Sequence, residues 1–111
     1  MKIERPVCPD RQAIQNLRIF VFMKHLNITI SGRVQGVGFR RAARDQARYL
    51  GIKGFVKNQH DGTVYIEAEA DDAAMAQFVI WCRQGPPFAQ VEEINTEPGD
   101  LKHFPSFDTK F

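Results

Sequence analysis

The chain has 111 residues, 43% of them hydrophobic and 25% charged, with a formal net charge of +2 and two cysteines. That length makes one domain with a modest core, and two distant cysteines, Cys8 in a proline-flanked tail and Cys82 in a predicted helix, point to neither a disulfide nor a metal site. Residues 1–24 carry five basic and two acidic side chains, a net of +3, while the remainder carries ten against eleven, a net of −1, so no broad nucleic-acid-binding surface is expected.

Residues 1–22 differ in character from the rest: Pro6, Pro9 and scattered charge precede a short apolar patch, Leu17 to Met23, that Arg18 interrupts. The patch is too short to cross a bilayer and lacks the small-residue cleavage site of a secretory signal, so neither a membrane anchor nor export is expected and cytoplasmic residence is the default. Two readings stand for this leader: it docks an extra strand or helix on the domain, or it is an extension ahead of a start at Met23. The domain itself is expected to occupy residues 23–111.

Leu26, Ile28 and Ile30 alternate with Asn27, Thr29 and Ser31, which predicts a half-buried first strand from Leu26 to Val34. Helical spacing follows from Phe39 to Leu50, with Phe39, Ala43, Ala47 and Leu50 on one stripe and Gly51 placed to end it. Between strand and helix lies Gly32-Arg33-Val34-Gln35-Gly36-Val37-Gly38-Phe39-Arg40. A glycine-rich turn opening a helix lets backbone N–H groups converge at the positive end of the helix dipole, which makes an anion cradle. The backbone amides of Gln35, Gly36, Val37, Gly38, Phe39 and Arg40 are expected to hold the oxygens of a phosphate, and the Arg40 guanidinium to add a charged fork. The glycine spacing fits neither G-x-G-x-x-G nor a loop followed by Gly-Lys-Ser/Thr, so nucleotide binding is not supported. A mere tight turn is the plain alternative. Against it stand arginines at 33, 40, 41, 44 and 48, since the helix dipole disfavours positive charge at that end unless an anion sits there.

Ile52 to Asn58 reads as a second strand, Gln59-His60-Asp61-Gly62 as a hairpin turn, and Thr63 to Ala68 as a third strand. Asp71 or Asp72 can cap a second helix that runs to about Arg83 and stops before Gly85-Pro86-Pro87. Strands near Val91 to Glu97 and Phe104 to Lys110 complete the pattern. Two β-α-β units joined by a hairpin predict an α+β, ferredoxin-like βαββαβ sandwich: an antiparallel sheet with both helices on one face. In it the ends of strands one and two are expected side by side, bringing Gln35 to Arg40 near Asn58.

Other chemistry is weaker. His25, His60 and His103 are dispersed without ligand spacing and are expected in surface or turn roles. Adjacent Glu92 and Glu93 would face opposite sides of a strand and are no acid–base pair. Cys82 falls in register with Met75, Phe78 and Val79 as a small core residue. Tyr49, Phe55, Tyr65 and Trp81 are expected in the core and its border.

The stretch Gly32 to Arg40, with Gly54-Phe55-Val56-Lys57-Asn58 and Asp61-Gly62-Thr63-Val64, resembles the acylphosphatases, and the resemblance runs from about Met23 to Phe111. It implies the same ferredoxin-like fold with an added edge strand, and hydrolysis of the carboxyl–phosphate bond of small acyl phosphates without metal or cofactor. It implies that Arg40 binds the phosphoryl group and that Asn58 orients the attacking water, the substrate's own phosphoryl oxygen taking the proton. Gln59 departs from vertebrate members, which have threonine after this asparagine, so a supporting hydrogen bond is expected to change. Thr63 falls where a hairpin threonine recurs in many members, with a plain strand-face role its equal rival. The resemblance also favours the start at Met23, and the enzyme is expected to act as a monomer. The rival function on the same fold is a module that binds acyl or carbamoyl phosphate without hydrolysing it, as in hydrogenase-maturation carbamoyltransferases.

Overall fold

Alternating apolar positions build the sheet. The computed structural model describes residues 23–111, and in it β1 spans Lys24–Arg33, α1 Phe39–Tyr49, β2 Lys53–Asn58, β3 Val64–Ala70, α2 Asp72–Gln84, β4 Gln90–Gly99 and β5 Phe107–Lys110. The readings of the leader and of Cys8 fall outside the described residues.

The strands lie in the order β4-β1-β3-β2-β5. The first four pair antiparallel, as the ferredoxin-like pattern predicts, while the added edge strand β5 joins β2 in parallel, so the sheet is mixed. One expectation is corrected: β1 and β2 do not touch, because β3 lies between them. Ile30 pairs with Val64 and Asn58 pairs with that same residue from the other side, so the end of β1 and the end of β2 meet across the start of β3. The loop after β1 reaches the hairpin over that one strand.

One face of the sheet carries the core. Ile28 and Ile30 of β1, Val56 of β2, and Val64 and Ile66 of β3 are fully buried against Phe39, Ala43 and Ala47 of α1 and Met75, Phe78 and Cys82 of α2. Asp71 caps α2 by accepting from the Ala74 N–H at 2.9 Å, which satisfies a donor that the first turn leaves open. Burial in this core pushes the Cys82 thiol far above its ordinary range, so it is an inert apolar filler.

The opposite face is polar, and a segment between β4 and β5 folds over one end of it. His25 pairs with Glu69 across β1 and β3, and Asn27 pairs with Glu67. His25 Nδ1 lies 2.8 Å from Glu69 Oε2 and Nε2 lies 2.8 Å from Asn27 Oδ1. The backbone N–H groups of Lys102 and Phe104 both donate to the Glu69 carboxylate, and Lys102 Nζ reaches Glu67 Oε1 at 2.8 Å. Tyr65 Oη donates to Glu67 Oε2 at 2.8 Å; burial and that acidic neighbour push the phenol up to about 12. Burial alone would raise both carboxyls, but these donors and His25 outweigh it and hold Glu67 and Glu69 below the ordinary carboxylate value.

These contacts correct two sequence expectations. His25 is 2% exposed, not a surface or turn residue, whereas His60 and His103 are exposed. The last strand starts at Phe107 because the Phe104 N–H is spent on Glu69. A third correction concerns the aromatics: Tyr49 is 84% exposed, and Phe55 and Tyr65 pack together on the polar face beside Glu67, while Trp81 borders the core.

Candidate active site

The glycine loop is shaped by two different needs. Gly32 sits opposite a bulge in β4, where the register skips Glu92 and a Cβ would come within 2.3 Å of the Gln90 carbonyl oxygen, so this glycine serves close strand packing. Gly36 and Gly38 adopt φ of 74° and 80° with open space around them, so they are needed for the left-handed turn itself. Gly38 is the N-cap of α1, and no side chain caps it. The first helical bond runs from the Ala42 N–H to the Gly38 carbonyl at 3.1 Å. Among the described residues, the backbone N–H groups of Gly36, Val37, Gly38, Phe39, Arg40 and Arg41 make no loop or cap hydrogen bond. These are the donors that a helix start leaves for an anion.

Side chains fix the loop at both ends. Val34 and Phe39 are buried, and the Phe39 ring lies 5.5 Å from that of Trp81. The Gln35 Nε2 donates to the carbonyl oxygens of Gln59 at 2.8 Å and Thr63 at 2.9 Å, tying the loop to the β2–β3 hairpin. Thr63 is the hub of that hairpin: its hydroxyl donates to Asp61 Oδ1 at 2.6 Å and accepts from Gln59 Nε2 at 2.8 Å. Hydrogen bonds from the Thr63 hydroxyl and N–H lower the Asp61 pKa. The side chain of Gln59 therefore supplies a support of its own.

Arg40 lies at the second position of α1. Its Nη1 donates to the Lys110 carbonyl at 3.0 Å, and its Cζ sits 4.7 Å from the centroid of the Phe111 ring. Neither partner cancels the charge, but together they orient the fork. Asn58 ends β2. Its Oδ1 is buried and has no hydrogen-bond partner among the described residues. A buried amide oxygen left in this state is costly unless something donates to it.

Arg40, Asn58, Gly36, Gly38 and Phe39 line one hollow of about 390 Å³. The structure thus brings together five of the seven residues singled out for the site. Gln35 stands behind the hollow through its clamp on the hairpin, and Val37 packs against the core. Of the five arginines grouped by sequence, Arg40, Arg41 and Arg44 line the hollow, and no Asp or Glu side chain does. Arg48 turns away to hold β5, donating to the Phe107 carbonyl at 3.0 Å and to Asp108 at 3.3 Å. Sequence reasoning missed Thr109 and Phe111, which the added edge strand delivers to the hollow, and the Lys110 carbonyl. A carbonyl leaves no mark in side-chain identity; only the direction of β5 could have revealed it. Asn58 also borders a second hollow of about 480 Å³ on the hairpin side, beside Lys57, His60 and Asp61. Among the described residues no group of three His, Cys, Asp or Glu could hold a metal ion, and no helix is long and apolar enough to cross a membrane.

Comparison with known proteins bears on this arrangement. An acylphosphatase family model matches residues 26–109. An acylphosphatase of Anaeromyxobacter dehalogenans is 48% identical over 81 residues, covering 69% of this chain and 87% of the relative. The crystal structure of an acylphosphatase from Bacillus subtilis superposes with a TM-score of 0.78 at 35% identity, covering 79% of this chain and 99% of that one. The structure of an acylphosphatase from Coxiella burnetii gives the same TM-score at 31% identity, covering 80% and 94%.

Proposed function

This chain belongs to the acylphosphatase family, and from that premise we propose how its residues carry out the reaction. It is a hydrolase that converts an acyl phosphate and water into a carboxylate and inorganic phosphate. The substrate is already activated, since attack at phosphorus expels a carboxylate, a good leaving group. What remains for the protein is to place the reactants and to balance charge on the phosphoryl oxygens.

The loop N–H groups from Gly36 to Arg40 hold the phosphoryl oxygens, and the Arg40 fork, set by the Lys110 carbonyl and Phe111, neutralises the charge that develops there. Asn58 accepts a hydrogen bond from the attacking water through Oδ1 and donates through its nitrogen to a phosphoryl oxygen. As water oxygen bonds to phosphorus, the bond to the acyl oxygen breaks and its electron pair leaves with the carboxylate. The water proton passes to a phosphoryl oxygen, so neither a metal ion nor a protein base takes part. The observation that carries this reading is that Asn58, whose Oδ1 is buried without a hydrogen-bond partner among the described residues, lines the same hollow as Arg40. The catalytic unit is residues 23–111, working as a cytoplasmic monomer on a small-molecule substrate, with no nucleic acid involved.

The test is benzoyl phosphate hydrolysis by the full chain in the presence of a chelator, with Arg40→Ala and Asn58→Ala alongside. Each substitution is expected to lower kcat by about a hundredfold to a thousandfold, the cost of removing one preorganised donor to a developing anion. Undiminished turnover in both variants sinks the mechanism, and loss of parent activity on chelation removes its metal independence.

A further inference from the structure

We propose that the hollow is a two-anion site, in which Arg44, with Arg41 beside it, binds a second negative group on the acyl part of the substrate. The inference deepens the acylphosphatase reading and rests on it. One phosphoryl group is met by the loop amides and a single fork. Three arginines line this hollow, and no Asp or Glu side chain does. The Arg41 side chain makes no hydrogen bond or ion pair among the described residues. Arg44 gives Nε and Nη2 to the same oxygen of its neighbour Asp45, at 3.2 Å and 3.1 Å, and its Nη1 donates to no described residue. Asp45 is itself exposed, so this pair is weak and leaves most of the Arg44 charge for a better partner.

Helix geometry explains why the three act on one ligand. Residues 40 and 44 lie one turn apart on the same face, and 41 lies three before 44, so all three side chains border the same hollow. Positive charge at Arg40 and Arg41, in the first turn, is disfavoured by the dipole, and three such charges round one hollow repel one another. A single phosphoryl group relieves part of that repulsion; a second anionic group relieves more. At about 390 Å³ the hollow falls within the range of small-molecule sites. Acyl phosphates bearing a distal carboxylate or phosphate fit this charge pattern, and simple alkyl or aryl acyl phosphates leave Arg41 and Arg44 unused.

The experiment compares kcat/KM of the full chain for benzoyl phosphates carrying a carboxylate at ring position 3 or 4 with the matching carboxamides, which share shape but lack charge. The rates are corrected for spontaneous hydrolysis. A preference of about tenfold or more for at least one carboxylate is expected, the lower end of what a charge-assisted hydrogen bond contributes. Arg44→Gln is expected to bring the ratio close to one, Arg41→Gln to lower it less, and Arg44→Lys to keep part of it. Equal rates for acid and amide at both positions in the parent overturn the inference while leaving the acylphosphatase reading intact. So does a ratio that survives Arg44→Gln with both rates lowered alike. If the parent hydrolyses none of these compounds, it is the acylphosphatase reading that fails, and the two-anion site falls with it.

Discussion

Two polar regions of this small domain are built in opposite ways. On the outer face of the sheet every polar side-chain atom of His25, Glu67 and Glu69 has a partner, although these residues are buried. At the loop end of the same sheet, Asn58 Oδ1 and the backbone N–H groups at the start of α1 have none among the described residues. Burial is costly in both places, but only the first region offsets the cost internally. Where a protein leaves strong donors and a buried acceptor unpartnered beside one hollow, a ligand can supply the missing partners. Where it closes the network, the polar groups hold the chain together. A site is thus recognised by what is left unsatisfied as well as by residue type.

The sharpest way to break this contrast is at Glu69. Its two oxygens receive His25 and the N–H groups of Lys102 and Phe104, so Glu69→Gln should cost about 3 kcal/mol of stability, the upper end for hydrogen bonds to a charged group. Turnover per folded molecule is expected to stay near that of the parent. Denaturant titration and an activity assay on the soluble fraction read both. Since the folded-state pKa of Glu69 lies below its unfolded value near 4.5, its contribution is present above that value and is lost as pH falls below it. Glu69→Gln should therefore also flatten the acid limb of the stability curve.

Inorganic phosphate probes the other region with a slightly smaller effect. At about a hundred times its dissociation constant it should stabilise the folded parent by about 2.7 kcal/mol. Thermal unfolding with and without phosphate is expected to show this shift in Glu69→Gln as well, and to show little of it in Arg40→Ala. Equal shifts in Arg40→Ala and the parent would mean that the anion binds elsewhere. The smallest effect expected is at Gln35, whose amide ties the loop to the hairpin carbonyls. Gln35→Ala should cost about 1 kcal/mol of stability, a typical net value for lost hydrogen bonds at a partly exposed position. It should also lower kcat, because the loop is then less well set against Asn58.

Much of the site is legible in the sequence because it is local. The loop from Gly32 to Arg40 is continuous in the chain, and its glycines and arginine carry their chemistry in their identity. Asn58 is legible only through its resemblance, since a turn-opening asparagine has a plainer role. The fold follows from alternation and helical spacing, both short-range signals. What the sequence hides is long-range. His25 and Glu69 are 44 positions apart, and their pairing depends on the register of β1 against β3. The position of β3 between β1 and β2 is likewise a matter of topology, which corrected the expected neighbour relation while leaving the loop and Asn58 at one hollow. Arg48 resembles Arg40 in kind and differs only in what lies opposite it: a strand backbone with an aspartate in one case, the hollow in the other.

The two outermost strands have a bearing on solubility. An unpaired strand margin is a template on which another chain can lay a ladder and begin to aggregate. Pro98 removes one donor from β4, and the exposed Glu92, Glu93 and Glu97 load that strand with like charge. On the far side β5 is only four residues long, and the carbonyls of Phe107 and Lys110 are already occupied by Arg48 and Arg40. The arginine assigned to the phosphoryl group thus also blunts one border of the sheet, leaving β5 fewer free groups on which a fibril could start.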